Sequence, residues 1–125
     1  MRKLLIADDE EGIRSLVRMT LESDAYEIVE ARNGAEALAL AREHRPELVL
    51  LDVMMPRLDG FEACRQLKED PATSGIVVVL LTALAQQADR ERGDAVGADQ
   101  YFTKPFSPVA LLGLVEEIYK TRIAS

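Results

Sequence analysis

Polar residues stand where the apolar runs of this chain stop. KLLIA (Lys3–Ala7) is followed by Asp8-Asp9, LVLL (Leu48–Leu51) by Asp52, IVVVLL (Ile76–Leu81) by Thr82, and QYFT (Gln100–Thr103) by Lys104-Pro105. If these runs are strands of one sheet, three carboxylates, a hydroxyl and an ammonium project from the same edge. Carboxylates gathered in this way repel one another and resist full ionisation. A hard divalent cation relieves that repulsion, and Mg²⁺ typically binds through one or two carboxylates together with water and phosphate oxygens. A carboxylate can also attack phosphorus to give an aspartyl phosphate. Such a transfer needs positive charge around the phosphoryl oxygens, which a metal and Lys104 would supply, with a hydrogen bond from the Thr82 hydroxyl.

Each residue also has a plainer reading. Asp8 or Asp9 would serve as a cap on the first helix, Asp52 as the start of a turn, Thr82 as an ordinary strand residue and Lys104 as a solvated loop lysine. What separates the readings is whether the elements bring the groups together. Five short apolar runs (the four above and Tyr26–Ala31) alternate with five helix-like stretches. The third and fourth runs are continuously apolar and rich in branched residues, as strands buried on both faces should be. Alternating strands and helices imply right-handed crossovers and a parallel sheet covered by helices. In such sheets functional groups gather beyond the carboxyl ends of the strands, where all the singled-out residues fall.

The helices carry their own signals. Ile13, Leu16, Val17, Thr20 and Leu21 follow helical spacing in the first. Asn33 with Glu36 and Asp59 with Glu62 read as N-caps of the second and third, which stop before Pro46 and at Asp70-Pro71. The fifth opens on Ser107-Pro108 and runs a stripe of Leu111, Leu112, Val115 and Ile118. The fourth, over Gln86–Val96, offers mainly Ala85, Ala88, Ala95 and Val96 and carries Gly93 inside it, so it is expected to be the least firmly docked.

Composition narrows the function classes. The chain has 125 residues, 48% hydrophobic and 30% charged, a balance suited to a single globular domain spanning 1–125. No apolar run approaches the ~20 residues of a membrane span, and the N-terminal run is too short for a signal-peptide core. A cytoplasmic location is the simplest reading. The single cysteine, Cys64, lies among Phe61 and Leu67 at helical spacing and reads as core, while lone His44 reads as a helix-end residue rather than a metal ligand. A net charge of −7 argues against nucleic-acid binding by this domain.

The strings LLIADDE, LVLLDVMMPRLDGFE, LLTA and GADQYFTKPF, in this order and spacing, resemble the receiver domains of response regulators over essentially the whole chain. The resemblance implies a flavodoxin-like α/β fold, a doubly wound (βα)5 five-stranded parallel sheet of strand order 2-1-3-4-5. It implies that Asp52 is the phosphoacceptor, that Asp8, Asp9 and Asp52 hold Mg²⁺ with the Met54 backbone carbonyl, and that Thr82 and Lys104 contact the phosphoryl group. Pro56 and Gly60 match the family's turn after the acceptor, and Lys104-Pro105 its cis peptide. Thr82 and Tyr101 match its switch pair, in which the aromatic ring follows the threonine inward on phosphorylation. Met54 and Leu84 occupy two positions that tune phosphate loss; both being apolar, they predict slow self-dephosphorylation. The implied donor is a histidine kinase or histidine phosphotransfer protein. The implied output surface is the face of the fourth helix, fifth strand and fifth helix, which is also where a dimer would form. No activity as an enzyme is expected beyond the domain's own phosphorylation and dephosphorylation.

Three other readings share parts of this pattern. A haloacid-dehalogenase-like phosphatase uses the same chemistry but needs an Asp-x-Asp pair, whereas Asp8-Asp9 has no spacer and Asp52 is followed by Val53-Met54. A flavodoxin-like cofactor module would need a phosphate cradle where Asp8-Asp9-Glu10-Glu11 stands. A degenerate receiver, used as an interaction scaffold, would be expected to lack part of the set Asp8, Asp9, Asp52, Thr82 and Lys104. The cognate kinase, output and oligomeric state are not legible in the sequence.

Overall fold

The computed structural model describes residues 2–23, 25–83 and 87–123. The apolar runs form strands β1 (Arg2–Ala7), β2 (Tyr26–Ala31), β3 (Leu48–Asp52), β4 (Val77–Thr82) and β5 (Gln100–Thr103). They alternate with helices α1 (Glu11–Leu21), α2 (Gly34–His44), α3 (Gly60–Glu69), α4 (Gln87–Ala95) and α5 (Pro108–Ile118), after which Tyr119–Ile123 makes a π-helical turn. The strands form one sheet of order β2-β1-β3-β4-β5, every neighbouring pair parallel. This is the expected flavodoxin-like doubly wound fold.

Successive strand residues point to opposite faces, and each face has its own core. Leu5, Ala7, Val49, Leu51, Val78 and Leu80 face α2 and α3, meeting Leu38, Phe61, Cys64 and Leu67. Leu4, Ile6, Leu48, Leu50, Val79 and Leu81 face α1 and α5, meeting Val17, Leu21, Leu111, Val115 and Ile118. Covering both faces removes the need for polar alternation, which is why β3 and β4 are apolar until their last residues.

The caps form largely as expected. The side chains of Asn33, Asp59 and Ser107 accept from the backbone N–H groups of Glu36, Glu62 and Ala110 at 2.8, 2.9 and 3.1 Å. Cys64 is buried, and burial pushes its thiol up to about 11, the behaviour of a packing residue. His44 is the last residue of α2.

Two apolar stripes need correction. On α1 the buried residues are Arg14, Val17 and Leu21, with Ile13, Leu16 and Thr20 only half-buried. A guanidinium thus occupies the core-facing position one turn before Val17. On α5, Leu112 is 38% exposed while Leu111, Val115 and Ile118 are buried. Leu112 lies some 100° around the helix from Leu111, beyond the sheet's reach. On α4, Ala95 is exposed and Val96 half-buried; Leu84, Ala85 and Gln86 lie outside the described residues, as does the side chain of Ala88.

The sheet edge is tightly closed where β3 gives way to α3. The Gly60 N–H donates to the Val53 carbonyl at 3.1 Å, and a Cβ on Gly60 would lie 2.2 Å from the Asp52 carbonyl oxygen. Gly12, on the exposed side of α1, has nothing within 4 Å of its notional Cβ. Gly60→Ala is therefore expected to cost about 1–3 kcal/mol through overpacking, whereas Gly12→Ala should stabilise by about 0.5–1 kcal/mol through helix propensity. Urea denaturation of the two variants checks the contrast.

Candidate functional site

Beyond the carboxyl ends of β1, β3, β4 and β5 the predicted residues come together. β1 lies between β2 and β3, so the chain's direction of winding reverses at the β1/β3 boundary and leaves a crevice there. Asp8 follows the last paired residue of β1 and is fully buried; Asp52 ends β3 and is 5% exposed; Thr82 ends β4 and is buried. Asp9 is exposed at the rim.

Lys104 closes the cluster from the far side. Its Nζ lies 2.8 Å from Asp8 Oδ2, 3.3 Å from Asp52 Oδ1 and 3.9 Å from Glu10 Oε1. The Lys104 N–H donates to the Thr82 carbonyl at 2.9 Å, extending the β4–β5 pairing past Thr82 and Thr103. The Lys104-Pro105 peptide bond is cis, as expected. Burial alone would lower the ammonium's pKa, but its hydrogen bond to Asp8 and the charge of Asp52 outweigh that and raise it.

Neither aspartate of the first loop caps α1 as an N-cap residue. That position belongs to Glu10, which makes no side-chain cap bond. Asp8 Oδ1 instead accepts the Glu10 N–H at 2.9 Å, a tight side-chain turn that leaves Oδ2 for Lys104. Asp52 Oδ1 accepts from the Met54 N–H at a long 3.4 Å. Burial, and then the charge of Asp8, push the Asp52 carboxyl up to about 6 against the opposing pull of Lys104.

Asp8, Asp9 and Asp52 each offer a carboxylate oxygen, and these lie within 4.8 Å of one another. Three hard oxygen donors around one point, two of them on buried residues with a single lysine for compensation, fit a divalent cation such as Mg²⁺. Next to the cluster a groove of about 600 Å³ is lined by Asp9, Met54, Pro56, Asp59, Phe61 and Arg92, among others. Met54 is 67% exposed on its wall. Leu84, paired with Met54 in the sequence reading, lies outside the described residues.

Tyr101, on β5, is half-buried and turned toward α4. Its hydroxyl lies 2.5 Å from the Arg90 carbonyl and 2.9 Å from Asp94 Oδ1, and its ring covers Gly93. Burial and the neighbouring Asp94 push the phenol up to about 12.

The sequence reading passed over several contributors. Arg14 donates from Nη1 to the Asp8 carbonyl at 2.7 Å. Arg92 lies over the Phe61 ring at 4.4 Å and pairs with Asp59 at 3.4 Å beside the groove. A signal for Arg14 existed, since it shares the helical stripe of Val17 and Leu21. None existed for Arg92 in a helix without an apolar stripe.

A doubly wound parallel sheet with buried aspartates, a lysine and a threonine at its carboxyl edge defines a flavodoxin-like α/β protein with a candidate cation site at its switch point. The sequence model of the response regulator receiver domain matches residues 4–116. The chain belongs to that family. It is 49% identical over 106 residues to the transcriptional regulatory protein ResD of Bacillus subtilis (strain 168), covering 85% of this chain and 43% of ResD. This chain spans about half the length, or less, of the curated relatives it matches. Among solved structures it superposes on the chemotaxis protein CheY4 of Vibrio cholerae with a TM-score of 0.89 at 34% identity, covering 94% of this chain and 98% of that one. The receiver domain of the sensor histidine kinase PA1611 of Pseudomonas aeruginosa PAO1 gives 0.85 at 27% identity over 99% and 98% of the two chains, and holds a magnesium ion in its active-site cleft.

The burial of Asp52 has a consequence for stability without metal. An unfolded aspartate ionises near ~3.9, whereas Asp52 in the fold ionises at about 6. Between those values the native state binds more protons than the unfolded one, so this group's contribution falls as pH rises and stays low above about 6. In metal-free protein Asp52→Asn should therefore stabilise at pH 7 by on the order of 1–3 kcal/mol, with the gain disappearing near pH 4. Chemical denaturation across this range in EDTA is the check.

Proposed function

We propose that this domain is a phosphorylation-driven signalling switch in which Asp52 accepts a phosphoryl group from a phosphohistidine of a histidine kinase or phosphotransfer protein. The observation that carries the reading is the placement of Asp52: a nearly buried carboxylate 3.3 Å from the Lys104 ammonium, with ligand oxygens of Asp8 and Asp9 in reach. Family membership and the magnesium ion held by the PA1611 receiver support it.

An oxygen of the Asp52 carboxylate attacks phosphorus, the phosphorus–nitrogen bond breaks, and the electron pair returns to the imidazole, which takes up a proton. Asp8, Asp9 and Asp52, with the Met54 carbonyl that the family resemblance adds, would hold Mg²⁺, which supplies positive charge at the phosphoryl oxygens. Lys104, already between Asp8 and Asp52, compensates the same charge by turning from a carboxylate to a phosphoryl oxygen. The Thr82 hydroxyl donates a further hydrogen bond and is drawn toward the new group. Tyr101 then loses its reason to stay over Gly93, and the α4–β5–α5 face changes shape. The domain works on its own phosphate alone and is no further enzyme.

This face would meet an output domain or partner protein, or a second copy, in the cytoplasm. The name of ResD supports a transcriptional output for that relative, of whose length this chain matches 43%. With a net charge of −7, the domain itself leaves DNA contact to such a partner.

Incubation with a small phosphodonor such as acetyl phosphate and Mg²⁺ should label the wild type by one phosphoryl group and leave Asp52→Asn unlabelled in intact-mass measurement. Equal labelling of both proteins would refute the assignment of Asp52. The exposed thioether of Met54, beside the attack path on the aspartyl phosphate, cannot hold an in-line water. Met54→Asn should therefore lose phosphate several-fold faster than wild type, followed by the decay of the labelled mass; an unchanged rate would show that this side chain does not set the lifetime.

A further inference from the structure

We infer that Arg14 is a positioning residue of the acidic site: held by Glu30, its guanidinium fixes the Asp8–Asp9 peptide and with it the direction in which the Asp9 carboxylate leaves the chain. The inference rests on the reading of Asp8, Asp9 and Asp52 as a divalent-cation site, and deepens it.

The pairing that orients β1 ends one residue too early to orient that site. Ala7 is the last residue of β1 in register with β2 and with β3. Past it, the Asp8 N–H still donates to the Ala31 carbonyl at 3.0 Å. The Asp8 carbonyl, however, belongs to the peptide plane that joins Asp8 to Asp9, and its rotation sets the direction in which the Asp9 side chain leaves. Asp9 is exposed, so packing does not aim it; the main chain must.

Arg14 supplies the missing restraint. It is 9% exposed, and its Nη1 donates to that carbonyl at 2.7 Å while its Nε donates to Glu30 Oε1 at 3.1 Å. Glu30 is itself fixed, since its Oε2 accepts from Arg18 Nε at 2.7 Å and Arg18 Nη2 donates to the Ile28 carbonyl at 3.1 Å. A rigid planar guanidinium spans the two acceptors; an ammonium is a point donor and cannot reproduce both bonds with the same geometry. The carboxylate of Glu30 offsets the burial of the charge, and the bond to the carbonyl is charge-assisted. Outer partners of this kind, which orient ligands without touching the ion, typically govern metal affinity by about 10–100-fold.

The sign of the effect separates positioning from simple electrostatics. Removing a positive charge near a cation site tightens cation binding by Coulomb's law alone. Loss of positioning weakens it. A purely structural role for Arg14 lowers the melting temperature and leaves the affinity of the folded protein unchanged.

The test is calorimetric titration of the full chain with Mg²⁺, at a temperature where circular dichroism shows each protein folded. Wild type, Arg14→Met, Arg14→Lys and Arg18→Met are compared. Arg14→Met should bind about tenfold more weakly and Arg14→Lys by a smaller but measurable factor. Arg18→Met, which loosens Glu30 but keeps the bond to the Asp8 carbonyl, should lose clearly less affinity than Arg14→Met. Unchanged or tighter binding by folded Arg14→Met overturns the inference, as does an equal loss in Arg18→Met. Should Arg14→Met fail to fold, Arg14→Lys decides, and wild-type affinity there overturns the inference. A wild type that takes up no Mg²⁺ overturns the cation-site reading itself, an outcome distinct from a wild type that binds and an Arg14→Met that binds equally.

Discussion

Asp8 and Asp52 share one ammonium, that of Lys104, at the carboxyl edge of the sheet. Two buried carboxylates face one cation, and burial, followed by the charge of Asp8, pushes the Asp52 carboxyl up to about 6 against the pull of Lys104. A fold at equilibrium would relieve this by admitting water or by losing a carboxylate. Here neither carboxylate is free to swing away: Asp52 ends β3 and Asp8 follows the last residue of neighbouring β1, with an apolar interior behind both. The deficit stays until a cation or a proton meets it, and that standing demand is what the proposed chemistry uses.

Holding such a cluster in place is costly, and the sheet is built to offset the cost. β3 and β4 are fully apolar until their final residues and are buried on both sides. Each fully buried branched side chain contributes roughly 1.5–3 kcal/mol, so a few neighbours outweigh one poorly compensated carboxylate. The strand order matters as much as the burial. With β3 between β1 and β4, and β5 beyond β4, Lys104 must reach across the Thr82 strand end to meet Asp52 and Asp8. The lysine and the threonine therefore bracket whatever binds at Asp52, although 22 positions separate them in the chain.

This division explains what the sequence disclosed. Strand ends were legible because an apolar run that halts at an acid, a hydroxyl or a lysine marks both the element and its edge. Caps such as Asn33, Asp59 and Ser107 were legible because their chemistry is local. Arg14 was passed over because periodicity reads apolar residues and not a guanidinium whose partners, the Asp8 carbonyl and Glu30, belong to other elements. Leu112 was placed in the core because a four-residue stripe on α5 does not show how wide a face the sheet covers. The strand order came only with the family resemblance, since no local pattern states which strands are neighbours.

The same contrast of apolar and polar attachment runs through the helices and points to where the fold can change shape. α1 and α5 are held by fully buried Val17, Leu21, Leu111 and Val115, contacts with no alternative partner in water. α4 is tied by a different chemistry: Tyr101 to the Arg90 carbonyl and Asp94, Arg92 to Asp59 and the Phe61 face, the Cys64 thiol to the Val96 carbonyl at 3.7 Å. Exposed hydrogen bonds and ion pairs exchange with water at little net cost, on the order of 0–1 kcal/mol for a surface ion pair. On the proposed mechanism, a phosphoryl group drawing Thr82 inward would compete with weak ties at α4 and with strong ones elsewhere. The buried Gly93 makes the competition sharper, because the Tyr101 ring occupies the space where any side chain would stand. Moving that ring would empty the seat and remove a tie between β5 and α4 in one step, which is how, on the proposed mechanism, a charge change at the sheet edge would reach a surface helix through one aromatic residue.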